Sequence, residues 1–265
     1  GHVKSLAGKT RFLFLPSLIT MPTLTESEVG FYCPMVQSNS YMVRFALQLN
    51  PSSVLSPTVH LKFDPDTLSV QLSEQISKKI QRGRREIRKA VYRGLEKHNA
   101  FVRELQEMGR KIVDEQPAAE PIVVVTGRPY NLYDERVNLR LGQNLAKIGV
   151  TALPMDFIDV SHVDLSDFPN MYWGLGSQII RTAKLVKKNR RMFGLHLTNF
   201  SCGADSFLEH FYKHVMKDKA YLILELDEHS AVAGVMTRLE AFKNVIENTM
   251  RKEGTGQKTE RKVAN

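Results

Sequence analysis

Between residues 121 and 250, apolar runs and helical patterns alternate at a spacing that leaves few folds open. Residues 122–126 form a continuous Val-rich run between Pro121 and Gly127. Val137, Leu141, Leu145 and Ile148 then recur at helical spacing. Strands are expected again at 150–157, 193–200 and 221–226, with helices at 173–186, 207–216 and 233–250. Such alternation predicts a parallel sheet covered by helices on both faces, with ligands bound beyond the carboxyl ends of the strands. Three polar segments fall at those ends: 127–131, Cys202-Gly203 and 227–230.

The preceding half is less regular. Residues 11–19 read as a buried strand, Pro22 as a turn, and 29–32 and 58–63 as short strands. Cys33-Pro34 opens an expected helix, proline being well placed in a first turn. Met35, Val36, Met42, Val43 and Leu47 are its expected apolar side. Residues 68–113 carry apolar side chains three, four or seven apart, the pattern of a helix with one buried stripe. Gly83, Gly94 and Gly109 leave open one long helix or two. The organisation is thus a partial N-terminal α/β portion at 1–67, a long helical segment at 68–120, the parallel α/β domain at 121–250, and a basic tail at 251–265, expected to be disordered.

The net charge of +9 is local. Residues 78–97 hold nine Lys/Arg and two Glu, and the tail adds a net +3. The remainder is close to neutral, so the basicity is not a general nucleic-acid surface. The run at 78–97 could bind an acidic partner domain, nucleotide phosphates or nucleic acid, but its one aromatic is Tyr92, and a solvated helix face is the default. No apolar run approaches membrane-spanning length. Two cysteines make no disulfide framework, which places the chain in a reducing compartment, the cytoplasm. The Gly1-His2 start reads as a tag remnant, and the chain is expected to be part of a longer protein.

Cys33 and Cys202 each follow a short apolar run and precede a helix. A thiol there sits near free backbone N–H groups and the positive helix end, a place to bind a soft metal or cluster or to poise a nucleophile. The structural alternative is a small buried hydrophobe. Asp205 or Ser206 is the expected cap of the helix after Cys202. Arg128 suits a carboxylate or phosphate, or equally a salt bridge to Asp134 or Glu135. Neither a Walker loop nor a dinucleotide fingerprint follows the first strand of the sheet domain. Asp227, Glu228 and His229 are candidates for acid–base work or for capping, with capping favoured. His196, alternating with Leu195 and Leu197, is expected to pack on a sheet face. His210 and His214 are read as surface residues.

Four segments together carry a family resemblance: 31–38 around Cys33, 126–138 around Gly127 and Arg128, 197–207 around Cys202, and 224–234 around Asp227. They resemble the 2-hydroxyacyl-CoA dehydratase-like proteins, in particular the dehydratase-related region of the large acyl-CoA dehydratase activase-related proteins, over most of residues 10–250. The resemblance implies flavodoxin-like α/β domains, a [4Fe–4S] or double-cubane iron–sulfur cluster, an ATP-dependent activase as electron donor, and a CoA thioester substrate. Pairing of subunits is also implied, so a homodimer is an expectation. On this resemblance Cys33 and Cys202 match two cluster ligands. Gly203, Arg128 and Asn131 join them as cofactor-binding residues, Arg128 and Asn131 as anchors for CoA phosphates should the chain be a non-catalytic binding module instead. Family members usually carry a further ligand cysteine upstream of Cys33, which this chain lacks. Dehydratase or low-potential reductase activity is therefore an expectation for the natural protein rather than for this sequence by itself.

Overall fold

The computed structural model describes residues 1–263, with side chains through residue 252. The chain forms two compact units, residues 1–101 with 168–177, and residues 102–167 with 178–265.

The first unit contains α1 (His2–Leu6), β1 (Leu13–Phe14), β2 (Ser17–Thr20), α2 (Pro34–Ala46), β3 (Val54–Leu55), β4 (Thr58–His60) and α3 (Pro65–Ile80). It also holds the first half of α4 (Arg84–Glu115). The strand expected at 11–19 is two short ones, interrupted at Pro16, where no N–H is available for a ladder. β1 pairs with β3 and β2 with β4, both parallel. Residues 29–32 make only an isolated bridge pattern, Phe31 joining Thr20 and Trp173. Asp64 caps α3 by accepting from the N–H groups of Asp66 and Thr67. The helical segment is two helices, because Gln81 takes a left-handed conformation at φ 55° and ends α3 before Gly83. Leu55, Ile76 and Ile87 form the small core here. The expected apolar side of α2 holds in part: Val36, Val43 and Leu47 are half-buried, Met35 and Met42 are exposed, and the one buried residue is Ser40, whose hydroxyl meets that of Ser17 at 2.7 Å.

The second unit contains β5 (Ile122–Thr126), α5 (Pro129–Tyr133), α6 (Leu141–Lys147), β6 (Thr151–Pro154), most of α7 (Gly174–Lys188), β7 (Met192–Asn199), α8 (Gly203–Met216), β8 (Tyr221–Leu226) and α9 (Val232–Val263). The second strand is shorter than its expected 150–157, because residues 155–157 turn into a single 3₁₀ turn. α9 continues through the stretch expected to be a disordered tail as far as Val263; residues 264 and 265 lie outside the described residues.

All four strands of this unit are parallel, in the order β6-β5-β7-β8. Counted along the chain the order is 2-1-3-4, that of a flavodoxin-like α/β sheet with its switch point between β5 and β7. Every residue of β5 is buried, as a strand covered on both faces requires. Val123, Val125, Phe193, Leu195, Leu197, Leu224 and Leu226 face one apolar core together with side chains of α6 and α9. The alternate positions Thr126, Gly194, His196 and Thr198 therefore lie on the opposite face. Gly109 of α4 belongs to this unit: a Cβ there would fall on the carbonyl oxygen of Phe157. Among the described residues no helix is long and apolar enough to cross a membrane.

Candidate functional site

The switch point of the sheet brings a buried charged pair to the start of α8. Gly127 lets β5 turn close against β7, since a Cβ there would lie 2.9 Å from the carbonyl oxygen of Leu197. Arg128 follows in extended conformation at the start of α5. Its Nη2 donates to Oδ1 of Asp205 at 2.7 Å, with both side chains buried. Oδ2 of Asp205 accepts from the Thr198 hydroxyl at 3.2 Å. The expected partners of Arg128 are thus corrected. Asp134 instead accepts the N–H groups of Arg136 and Val137 and holds its own turn, while Glu135 receives Gln143. Burial works against the Arg128 charge, but Asp205 outweighs it and holds the guanidinium above its ordinary value.

Cys202, not Asp205 or Ser206, is the residue that begins α8. Asp205 lies in the first turn, where its carboxylate meets Arg128 and the Thr198 hydroxyl. The turn into α8 passes through Ser201 at φ 61°, a left-handed conformation uncommon for a residue with a side chain. Cys202 is half-buried and free of any disulfide. Burial pushes its thiol up, and the Asp205 carboxylate adds to the rise, against the pull of the Asp205 N–H and of Arg128. Together these neighbours favour the protonated thiol. Gly203 is exposed, with open space where a Cβ would stand.

Asn131 is fully buried, and neither atom of its side-chain amide has a hydrogen-bond partner among the described residues. Its carbonyl is held by Asn138 at 2.9 Å. Asn131 is therefore part of the interior.

Deeper along the same face of β7, His196 Nδ1 meets the Thr126 hydroxyl at 3.0 Å, and the ring stacks on Tyr212 at 5.0 Å. Tyr212 stands over Gly194, where a Cβ would collide with its hydroxyl. Burial brings His196 down to about 4, so it is neutral at ordinary pH. The sequence pattern foretold the packing of His196. It did not foretell the polar row Thr126–His196–Thr198–Asp205, although His196 and Thr198 at alternating positions of one strand, with Thr126 on its neighbour, were its visible signal.

Cys33 stands in the first unit in a comparable backbone setting. It precedes Pro34 and begins α2 at φ −64° and ψ 154°, with its carbonyl accepting from Val36 and Gln37. It is half-buried and free. The third polar segment is a turn held by its own side chains rather than a cap of α9: Asp227 accepts from His229 N–H at 2.9 Å and from the Ser230 hydroxyl at 2.8 Å. Glu228 and His229 are exposed. His210 and His214 are exposed on α8. Among the described residues, no group of three or more His, Cys, Asp or Glu is placed to hold a metal ion.

A family model described as CoA enzyme activase uncharacterised domain (DUF2229) matches residues 1–158. The match includes Cys33, Arg128 and Asn131 and ends before Cys202. No curated protein matches the chain, and no solved structure does.

Proposed function

The chain belongs to the CoA enzyme activase uncharacterised domain family, and from that footing we propose that it is the iron–sulfur, electron-accepting part of a 2-hydroxyacyl-CoA dehydratase-like or related reductase system, reduced by an ATP-dependent activase. One observation carries the reading. Both cysteines of the sequence begin a helix, in extended backbone conformation, half-buried and without a disulfide. Free N–H groups and the positive end of a helix favour the negative charge of a thiolate-ligated cluster.

The donor set fits such a cluster in part. Clusters of this class take Cys thiolates, usually four, and this sequence supplies two. Cys33 and Cys202 are the residues that would hold it, and these two thiols do not complete the ligand set. When bound, the group supplies one-electron acceptance at low potential. The chain's own work is to fix the ligands. The Arg128–Asp205 pair and Thr198 anchor the first turn of α8, so Cys202 is presented from a rigid element. A CoA-binding module is favoured less, since Arg128 is engaged by Asp205 and Asn131 is sealed.

The test is anaerobic reconstitution of the complete natural protein, with iron, acid-labile sulfide and the EPR spectrum measured for wild type, Cys33→Ser and Cys202→Ser. The expected result is a cluster in wild type and its loss in both variants. A variant that keeps full iron and sulfide, or a wild type that takes up none, overturns the assignment.

A further inference from the structure

The first half of α4 carries a row of cations that the fold does not use. Of the basic residues at 78–97, Lys79 donates to the carbonyls of Pro51 and Val54, Arg82 pairs with Glu86, and Arg88 pairs with Asp66. Arg85, Lys89, Arg93 and Lys97 are different. They recur every four residues, are all exposed, and make no ion pair or hydrogen bond among the described residues. Ile87 and Val91 on the other side of the helix pack into the core of the first unit. The four cations therefore form an outward stripe about 18 Å long, at 1.5 Å per residue. Like charges four apart repel along a helix, so the stripe works against α4 itself. Glu96 flanks it, and Glu86 is already held by Arg82 and by the N–H of Gly83.

We propose that this stripe docks an acidic, carboxylate-bearing segment of a partner protein. Charge complementarity sets the chemistry. The surroundings favour protein over nucleic acid, because the stripe has no stacking platform. Tyr92 bonds Asp66 through its hydroxyl, and its ring lies 4.7 Å from the Arg88 guanidinium. The assignment does not depend on the cluster, and loss of either cysteine leaves it unchanged.

The experiment measures fluorescence anisotropy of labelled poly-L-glutamate, and in parallel of a short DNA duplex, at about 50 mM and about 500 mM salt, where exposed charges are screened to different extents. The proteins are wild type, the stripe variant R85Q/K89Q/R93Q/K97Q, and a control of equal charge change at exposed sites, K4Q/K9Q/K187Q/K188Q. Glutamine keeps helix propensity, and circular dichroism confirms the fold. Poly-L-glutamate is expected to bind wild type at low salt, to lose about tenfold in affinity in the stripe variant, and to change less than about twofold in the control. Three outcomes overturn the proposal: equal loss in both variants, absence of binding to wild type, or tighter stripe-dependent binding of the duplex. A salt-sensitive dimer of the protein alone, abolished by the stripe variant, assigns the surface to a second copy and also overturns it.

Discussion

Cys33 and Cys202 each begin a helix, but the ground beneath them differs. α8 follows an eight-residue strand and sets Asp205, Leu208, Tyr212 and Met216 fully into the interior. α2 belongs to a unit of two- to four-residue strands and buries only Ser40, while Phe45 is 88 % exposed. The same local device, a thiol at a helix start, is held rigidly by a deep parallel sheet in the second unit and by little interior in the first. Position at a helix end thus gives electrostatics, but precision comes from what lies below the first turn.

The contrast breaks most sharply at Arg128. Arg128→Ala leaves Asp205 charged at 0 % exposure, a mechanism that costs about 3–5 kcal/mol. Urea unfolding followed by a probe in the second unit should show that loss, and replacing both residues with apolar ones of similar volume should recover much of it. A loss below about 1 kcal/mol would mean that the pair does not anchor α8.

His196 provides the next test. Its folded value is about 4 against an ordinary 6.5, so the unfolded chain takes up the proton first. Stability is then fully present above pH 6.5, falls as the pH drops toward about 4, and levels off below. The amount at stake is about 3 kcal/mol. His196→Gln should flatten the slope of unfolding free energy across that window; an unchanged slope would show that His196 titrates alike in both states.

Two glycines of α4 sharpen the comparison further. Gly109→Ala places a methyl on the Phe157 carbonyl, with an expected loss of about 1–3 kcal/mol. Gly94→Ala, in the first unit, meets nothing within 4 Å and should stabilise by up to about 1 kcal/mol. Thermal melts of the two single variants should move in opposite directions.

The sheet unit was the more legible in sequence, for a physical reason. β5 and β8 are apolar runs bounded by Pro121, Gly127 and Asp227, and their ends at 122–126 and 221–226 fall where the pattern placed them. β5, buried on both faces, has no alternative to such a run, while β8 lies at the sheet edge and keeps Glu225 exposed. The first unit was harder to read because Pro16 splits one apolar run into two strands and the cores are small. At the site, Cys202 and Arg128 were visible as candidates, but their common partner was not. Asp205 lies 77 residues from Arg128, while Asp134 and Glu135 are near in sequence. Local spacing points to the near acids, and only the β5–β7 pairing brings the distant one into place. The burial of Asn131 was hidden for the same reason, since a polar residue after a strand end reads as exposed.

The proposal that Cys33 and Cys202 are cluster ligands is tested most directly by alkylation footprinting of the complete natural protein. Each cysteine is labelled with iodoacetamide before and after anaerobic iron–sulfur reconstitution and read by mass spectrometry. The account predicts that both thiols label in the iron-free protein and that both become protected together as iron is taken up. A cysteine that still labels fully while iron is bound would contradict it.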